Sequence, residues 1–188
     1  PAQSHLFDDH LFAKAQRTLG DEQGTAEVQR TLLSPVRLDA WNAFVDGTIK
    51  HGQSQGKTMA FGVMAPAEQS YAQSKGAEVQ SGVMYLEDRQ LIGPKATRHE
   101  KAGDALTPEE WKALPVNVAN AEQVLWDTRN NTVLYVFPSE DGRNTKVAIR
   151  FNRLKVGSNR VDDAATAFKV PMEKILEDIQ NGFFERIR

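Results

Sequence analysis

Midway along the chain the apolar period changes from that of a helix to that of a strand, and this change decides the fold class. Thr107-Pro108-Glu109-Glu110 sets an N-cap Thr, a Pro at the first helical position and a Glu at the third, the pattern of a capping box. Trp111 and Leu114 supply the buried side of this short helix, and Pro115 is expected to end it. Beyond it the period is two. Val124-Leu125-Trp126 leads into a turn at 128–131, then Val133 to Phe137 in unbroken sequence, a second turn at 138–142, and a stretch at 146–152 with Val147, Ile149 and Phe151 in phase. Strands joined by such short turns pair as an antiparallel meander.

Helices precede the meander. Residues 8–19 put Leu11, Phe12, Ala15 and Leu19 on one helical face, and a shorter helix is expected at 26–33. Ser34 is a good N-cap with Pro35 behind it, and Leu38, Trp41, Val45 and Ile49 form the stripe of a helix ending near Gly52. Residues 58–64 alternate as a strand, 66–75 read as a helix closed by Gly76, 78–86 as another strand, and 95–102 as a short helix or turn. Residues 160–168 are expected as a further strand or irregular edge. Met172, Ile175, Leu176 and Ile179 mark a last amphipathic helix stopped by Asn181-Gly182. The expected class is α+β: N-terminal helices packed on a small antiparallel meander, with a C-terminal helix. The expected division is an N-terminal helical segment at 1–33 and an α+β domain at 34–188.

Composition narrows the chemistry. The chain of 188 residues has no Cys, which excludes thiolate metal sites, thiol catalysis and disulfides. No apolar run is long enough to span a bilayer, and the first thirty residues do not read as a signal peptide. The four His have no metal-ligand spacing; His5 and His10 are expected in solvent, and neither a metal nor a cofactor is expected. There is no phosphate-cradling GxxxxGK[ST] or GxGxxG, and no GxSxG elbow.

Charge is less even than the net value of -2 suggests. Residues 142–161 carry six cations (Arg143, Lys146, Arg150, Arg153, Lys155 and Arg160) and no acid, and a second cluster holds Lys95, Arg98, His99 and Lys101. With Val147, Ile149 and Phe151 facing the core, strand alternation puts Lys146, Arg150 and Asn152 on the opposite face. If that face looks onto Lys95, Arg98 and His99, the result is a basic cleft with one imidazole. Metal-free RNA cleavage uses such parts: a proton donor or acceptor and cations around the phosphate. The competing reading is a solvated sheet face beside a polar loop.

The stretch LTPEEWKALPVNVANAEQVLWDTRNNTVLYVF at 106–137, NTKVAIRFN at 144–152, WNAFVDGTIKHGQSQG at 41–56 and Asn159 resemble one phage domain family. It is the barnase/EndoU/colicin/RelE-like nuclease group found at the end of Mu F-like minor head, or head-morphogenesis, proteins. The resemblance implies a compact antiparallel sheet packed by N-terminal helices, and metal-independent RNase or tRNA-cleaving toxin activity. The positions it carries over are Arg98, with Lys95 or Lys101, and Lys146 and Arg150 of the strand; with the imidazole and the polar strand residues read above, the expected catalytic set is His99, Arg98, Lys95 and Lys101, and the expected substrate-binding set is Lys146, Arg150, Asn152 and Asn159. The family pattern has a His about one turn ahead of the Arg, where residues 93–95 lie here; in this chain His99 follows Arg98 instead.

Two functional expectations stand. One is a metal-independent endoribonuclease, with RNA or another nucleic acid as partner, an immunity protein if it is a toxin, and the host cytoplasm as its place. The other is a non-catalytic minor head component in the phage virion, with head proteins as partners and the helices at 8–19 and 34–51 as the partner surface. Neither involves a membrane.

Overall fold

The computed structural model describes residues 2–188, with side chains from residue 8 onward. The order is α1 (Ala2–Arg17), α2 (Glu22–Leu32), α3 (Pro35–His51), β1 (Thr58–Val63), α4 (Pro66–Ser74) and β2 (Val83–Glu87). A 3-10 turn (Asp88–Gln90) then leads to α5 (Pro94–Ala102), α6 (Pro108–Lys112) and α7 (Leu114–Ala119). The remainder is β3 (Gln123–Asp127), β4 (Thr132–Pro138), β5 (Asn144–Val156), β6 (Asn159–Val170), α8 (Met172–Gln180) and β7 (Phe184–Arg186). The class is α+β. No helix among the described residues is long and apolar enough to cross a membrane.

Local signals explain the helix starts. The Ser34 side chain accepts from the Arg37 N–H, and Gly52, at φ 79°, closes α3 in the left-handed region where a Cβ would be strained. Thr107 and Glu110 form both halves of the capping box. Pro115, however, ends no helix. Leu114-Pro115 opens α7, because a proline in the first turn gives up only an N–H that has no intrahelical partner.

The sheet is larger than a small meander. Seven strands run β1-β2-β6-β5-β4-β3-β7, antiparallel throughout except for β2 against β6. The meander β3-β4-β5-β6 is its centre. β7, three residues long, adds to β3, and the β1-β2 pair docks on the far edge of β6. β2 begins only at Val83, since Gly82 at φ 82° turns the preceding loop.

Both faces of the sheet are covered. On the front, Val124, Trp126, Val133, Tyr135, Val147 and Ile149 join Trp41 and Val45 of α3 and Leu114 and Val118 of α7 in the main core. On the back, α8 covers one end, with Ile175 against Leu125, Leu134, Val136 and Ala148. α1 and α2 cover the other end, where Leu11, Phe12, Val28 and Leu32 pack on Ala60, Val83, Tyr85 and Val161. Between these two groups lies α5.

Candidate functional site

α5 carries the first basic cluster and lies over β6. It begins after Gly93, whose φ of 149° brings a would-be Cβ to 3.2 Å from the Arg89 carbonyl, and it ends at Gly103 in the left-handed region. Lys95 and His99, one turn apart, both reach β6. The Lys95 ammonium donates to the Ala165 carbonyl at 2.6 Å. The His99 ring meets Asp104 through Nδ1 at 2.8 Å and Thr166 Oγ1 through Nε2 at 3.4 Å, and it stacks on Phe168 at 5.1 Å between centroids. Arg98 and Lys101 are exposed.

The strand residues meet other partners. Lys146 Nζ sits over the rings of Phe168 at 4.8 Å and Phe184 at 5.3 Å, and burial pushes its ammonium below the ordinary lysine value. Arg150 makes a two-pronged pair with Asp163 at 2.8 and 2.9 Å. Burial, with the charges of Arg150, Arg89 and Arg98, lowers Lys95. Alternation does keep Lys146 and Arg150 on one face, but a bulge between Arg150 and Leu154 takes Asn152 out of phase. Asn152, at φ 54°, donates its side-chain N–H to Glu78 at 2.6 Å, and Asn159 lies at the far end of the ribbon opposite Val156.

Lys95, His99, Lys146 and Arg150 therefore do share the back face with β6. Each is already engaged by a carbonyl, a carboxylate, a hydroxyl or a ring. The partners that engage them, Asp104, Asp163, Thr166 and Phe168, escape a sequence reading. The signal for Asp163 was present: two successive Asp residues, Asp162 and Asp163, interrupt a strand whose neighbours are apolar.

The front side at the bulge is open. A groove of about 360 Å³ is lined by Lys75, Glu78, Asn130, Asn131, Asn152 and Arg153, with Arg150 and Phe151 also contributing. Elsewhere α2, α4 and α7 border a smaller cavity of about 250 Å³ lined by Glu68 and Tyr135. Both side chains are buried, the Glu68 carboxyl is raised by burial, and Arg188 Nε lies 3.6 Å from it. Among the described residues no group of three or more His, Asp or Glu is placed to hold a metal ion.

Asp162 anchors the bulge. Its carboxylate accepts from the Asn152 N–H at 3.1 Å and the Gln80 N–H at 3.0 Å. Burial still outweighs these bonds and pushes the carboxyl up to about 7 from 3.8. A raised carboxyl stabilises the fold fully below the unfolded value, and the contribution is lost as pH rises through the folded one. Unfolding free energy measured in urea is thus expected to decline between pH 4 and 7. The decline should be shallower in Asp162→Asn, with a remainder from Glu68. Equal slopes in the two proteins would remove Asp162 as the source.

No family model matches this chain, and no solved structure does. A curated protein does: over 181 residues the chain is 23% identical to the Mu-like prophage FluMu F protein of Haemophilus influenzae. The similarity is to a prophage protein. It takes in 93% of this chain but 43% of that protein, so the chain spans less than half the length of its relative.

Proposed function

We propose that the chain forms part of a phage head protein of the Mu F type and works in the virion as an interaction module, with other head proteins as partners and no catalysis of its own. The observation that carries this reading is the similarity to a Mu-like prophage F protein along 93% of the chain. The state of α5 agrees with it: both ring nitrogens and one face of His99 are occupied, and Lys95 and Arg150 are held by β6. The apolar stripes of α1 and α3 are consumed in the cores, so a partner would meet their polar outer faces. Among their described side chains, Val36, 78% exposed, is the large apolar one left in solvent.

A second reading is metal-independent RNA cleavage, with His99 moving a proton, Arg98, Lys95 and Lys101 beside it, and Lys146, Arg150, Asn152 and Asn159 on the substrate. The pairing of His99 with Asp104 favours it, because an acid on Nδ1 fixes the tautomer and leaves Nε2, at 3.4 Å from the Thr166 hydroxyl, as the nitrogen that would exchange a proton. RNA, an immunity protein and the host cytoplasm belong to this second reading. Incubating the chain with total tRNA and a labelled RNA oligonucleotide in EDTA separates the two. The head reading expects intact RNA at large protein excess. Fragments ending in cyclic phosphate, lost in His99→Ala, would put the nuclease in its place.

A further inference from the structure

The long basic run of residues 142–161 is divided by the fold. Arg143 pairs with Asp141, Lys146 lies over two rings and Arg150 is bound by Asp163. Arg153, Lys155 and Arg160 remain. All three are exposed, and among the described residues none of them is in an ion pair.

Their placement is ordered by the hairpin of β5 and β6. Beyond the bulge the ladder resumes with Leu154 opposite Val161, Lys155 opposite Arg160 and Val156 opposite Asn159. Leu154, Val156 and Val161 turn to the back, where they pack on the cluster of α1 and α2. Lys155 and Arg160 consequently stand side by side on the other face, with Arg153 two residues before Lys155 on the same strand. Like charges directly opposite each other weaken a ladder, so this pair does nothing for the fold that a neutral pair would not do better. The ribbon is fastened by its apolar side and presents cations on its free side.

We propose that this outer half of the β5-β6 ribbon, with the groove at its root, binds the phosphodiester backbone of a nucleic acid. Arg153 belongs to both parts. It lines the groove with Lys75 and beside Asn130 and Asn131, whose side-chain amides hydrogen-bond phosphate and sugar oxygens as readily as the cations attract the charge, while Glu78, the acid in the same lining, is met by the Asn152 amide. A two-stranded ribbon also has the width that a duplex groove admits. An acidic protein partner is the less apt occupant. Protein interfaces centre on aromatic or apolar anchors, and among the described residues the large exposed apolar side chains, Val36, Val116 and Leu176, all lie on helices elsewhere. The inference stands apart from the head reading, since a phosphate-binding ribbon serves any role and needs no cleavage.

The test is fluorescence anisotropy with the whole chain and three labelled probes: a mixed-sequence DNA duplex, a single-stranded RNA of equal length, and polyglutamate. The compared variants are Arg153→Glu/Lys155→Glu/Arg160→Glu and, as a control with the same change of net charge, Lys50→Glu/Lys57→Glu/Arg186→Glu. Binding to nucleic acid is expected to weaken with salt with a log–log slope of about 3, and to fall roughly tenfold or more in the ribbon variant while the control stays near the wild type. Circular dichroism checks that both variants are folded. Stronger binding of the duplex names DNA as the source of the phosphates, and stronger binding of the single strand names RNA. No binding at low salt, equal loss in both variants, or polyglutamate bound as well as nucleic acid would each overturn the proposal.

Discussion

Arg37→Met is expected to lower the unfolding free energy by about 3–5 kcal/mol, the cost of stranding one partner of a buried ion pair. Arg37 and Asp8 are each 3% exposed, on α3 and α1, and the guanidinium Nη2 donates both to Asp8 and to the Ala60 carbonyl at 2.9 Å. Asp8 in turn accepts from the Ala60 N–H at 3.0 Å. Three elements, α1, α3 and β1, therefore meet at one charge pair. Without the guanidinium, Asp8 would stay in the interior and lose the cation on its Oδ1, and the melting temperature should drop by roughly 10 °C for a chain of this size. Asp8→Asn in the same background should recover most of the loss, because the neutral amide carries a far smaller burial penalty. Thermal and urea unfolding measure both. A loss below about 1 kcal/mol would mean that α1 is not tied to the sheet through this pair. The result also bears on the proposed division at residue 33, since a separately folded N-terminal segment would leave the rest of the chain's transition unchanged.

Trp41→Ala is expected to cost a further large amount, about 3–5 kcal/mol, by opening a cavity in the main core. Trp41 is fully buried, its ring centroid lies 5.4 Å from that of Phe44 and 6.0 Å from that of Phe61, and its indole N–H donates to the Trp111 carbonyl at 2.9 Å. That bond joins α3 to α6. Trp41→Phe keeps most of the volume and removes only the donor, which leaves one buried carbonyl unpaired at about 1–3 kcal/mol. Denaturant midpoints of the two variants should order accordingly. Equal midpoints would show that the hydrogen bond, not the packing, carries the contribution.

The elements written in local chemistry were legible before the fold was known. The capping box at Thr107, the Ser34-Pro35 start and the alternation through Val147, Ile149 and Phe151 depend on residues a few positions apart, and each appears in place. What escaped depends on distant partners. Nothing near Val83 signals that β2 will run parallel to β6, and β7 at Phe184–Arg186 is too short for a period to show. The candidate site divides in the same way. The polar face of β5 and the basic cluster of α5 could be read, but not that Arg150 would be answered by Asp163, thirteen residues on, across a bulged ladder. A run of six cations looks like one surface in the sequence. In the fold, half of it is consumed internally, and Arg153, Lys155 and Arg160 are what the ribbon leaves to solvent.

The head reading is tested most directly by quantitative mass spectrometry of density-purified phage heads assembled in cells that produce this chain. The account expects its peptides in the particles at a fixed copy number relative to the major shell protein, retained after nuclease and high-salt washing. Heads that lack the chain, with all of it recovered free in the lysate, would contradict the account.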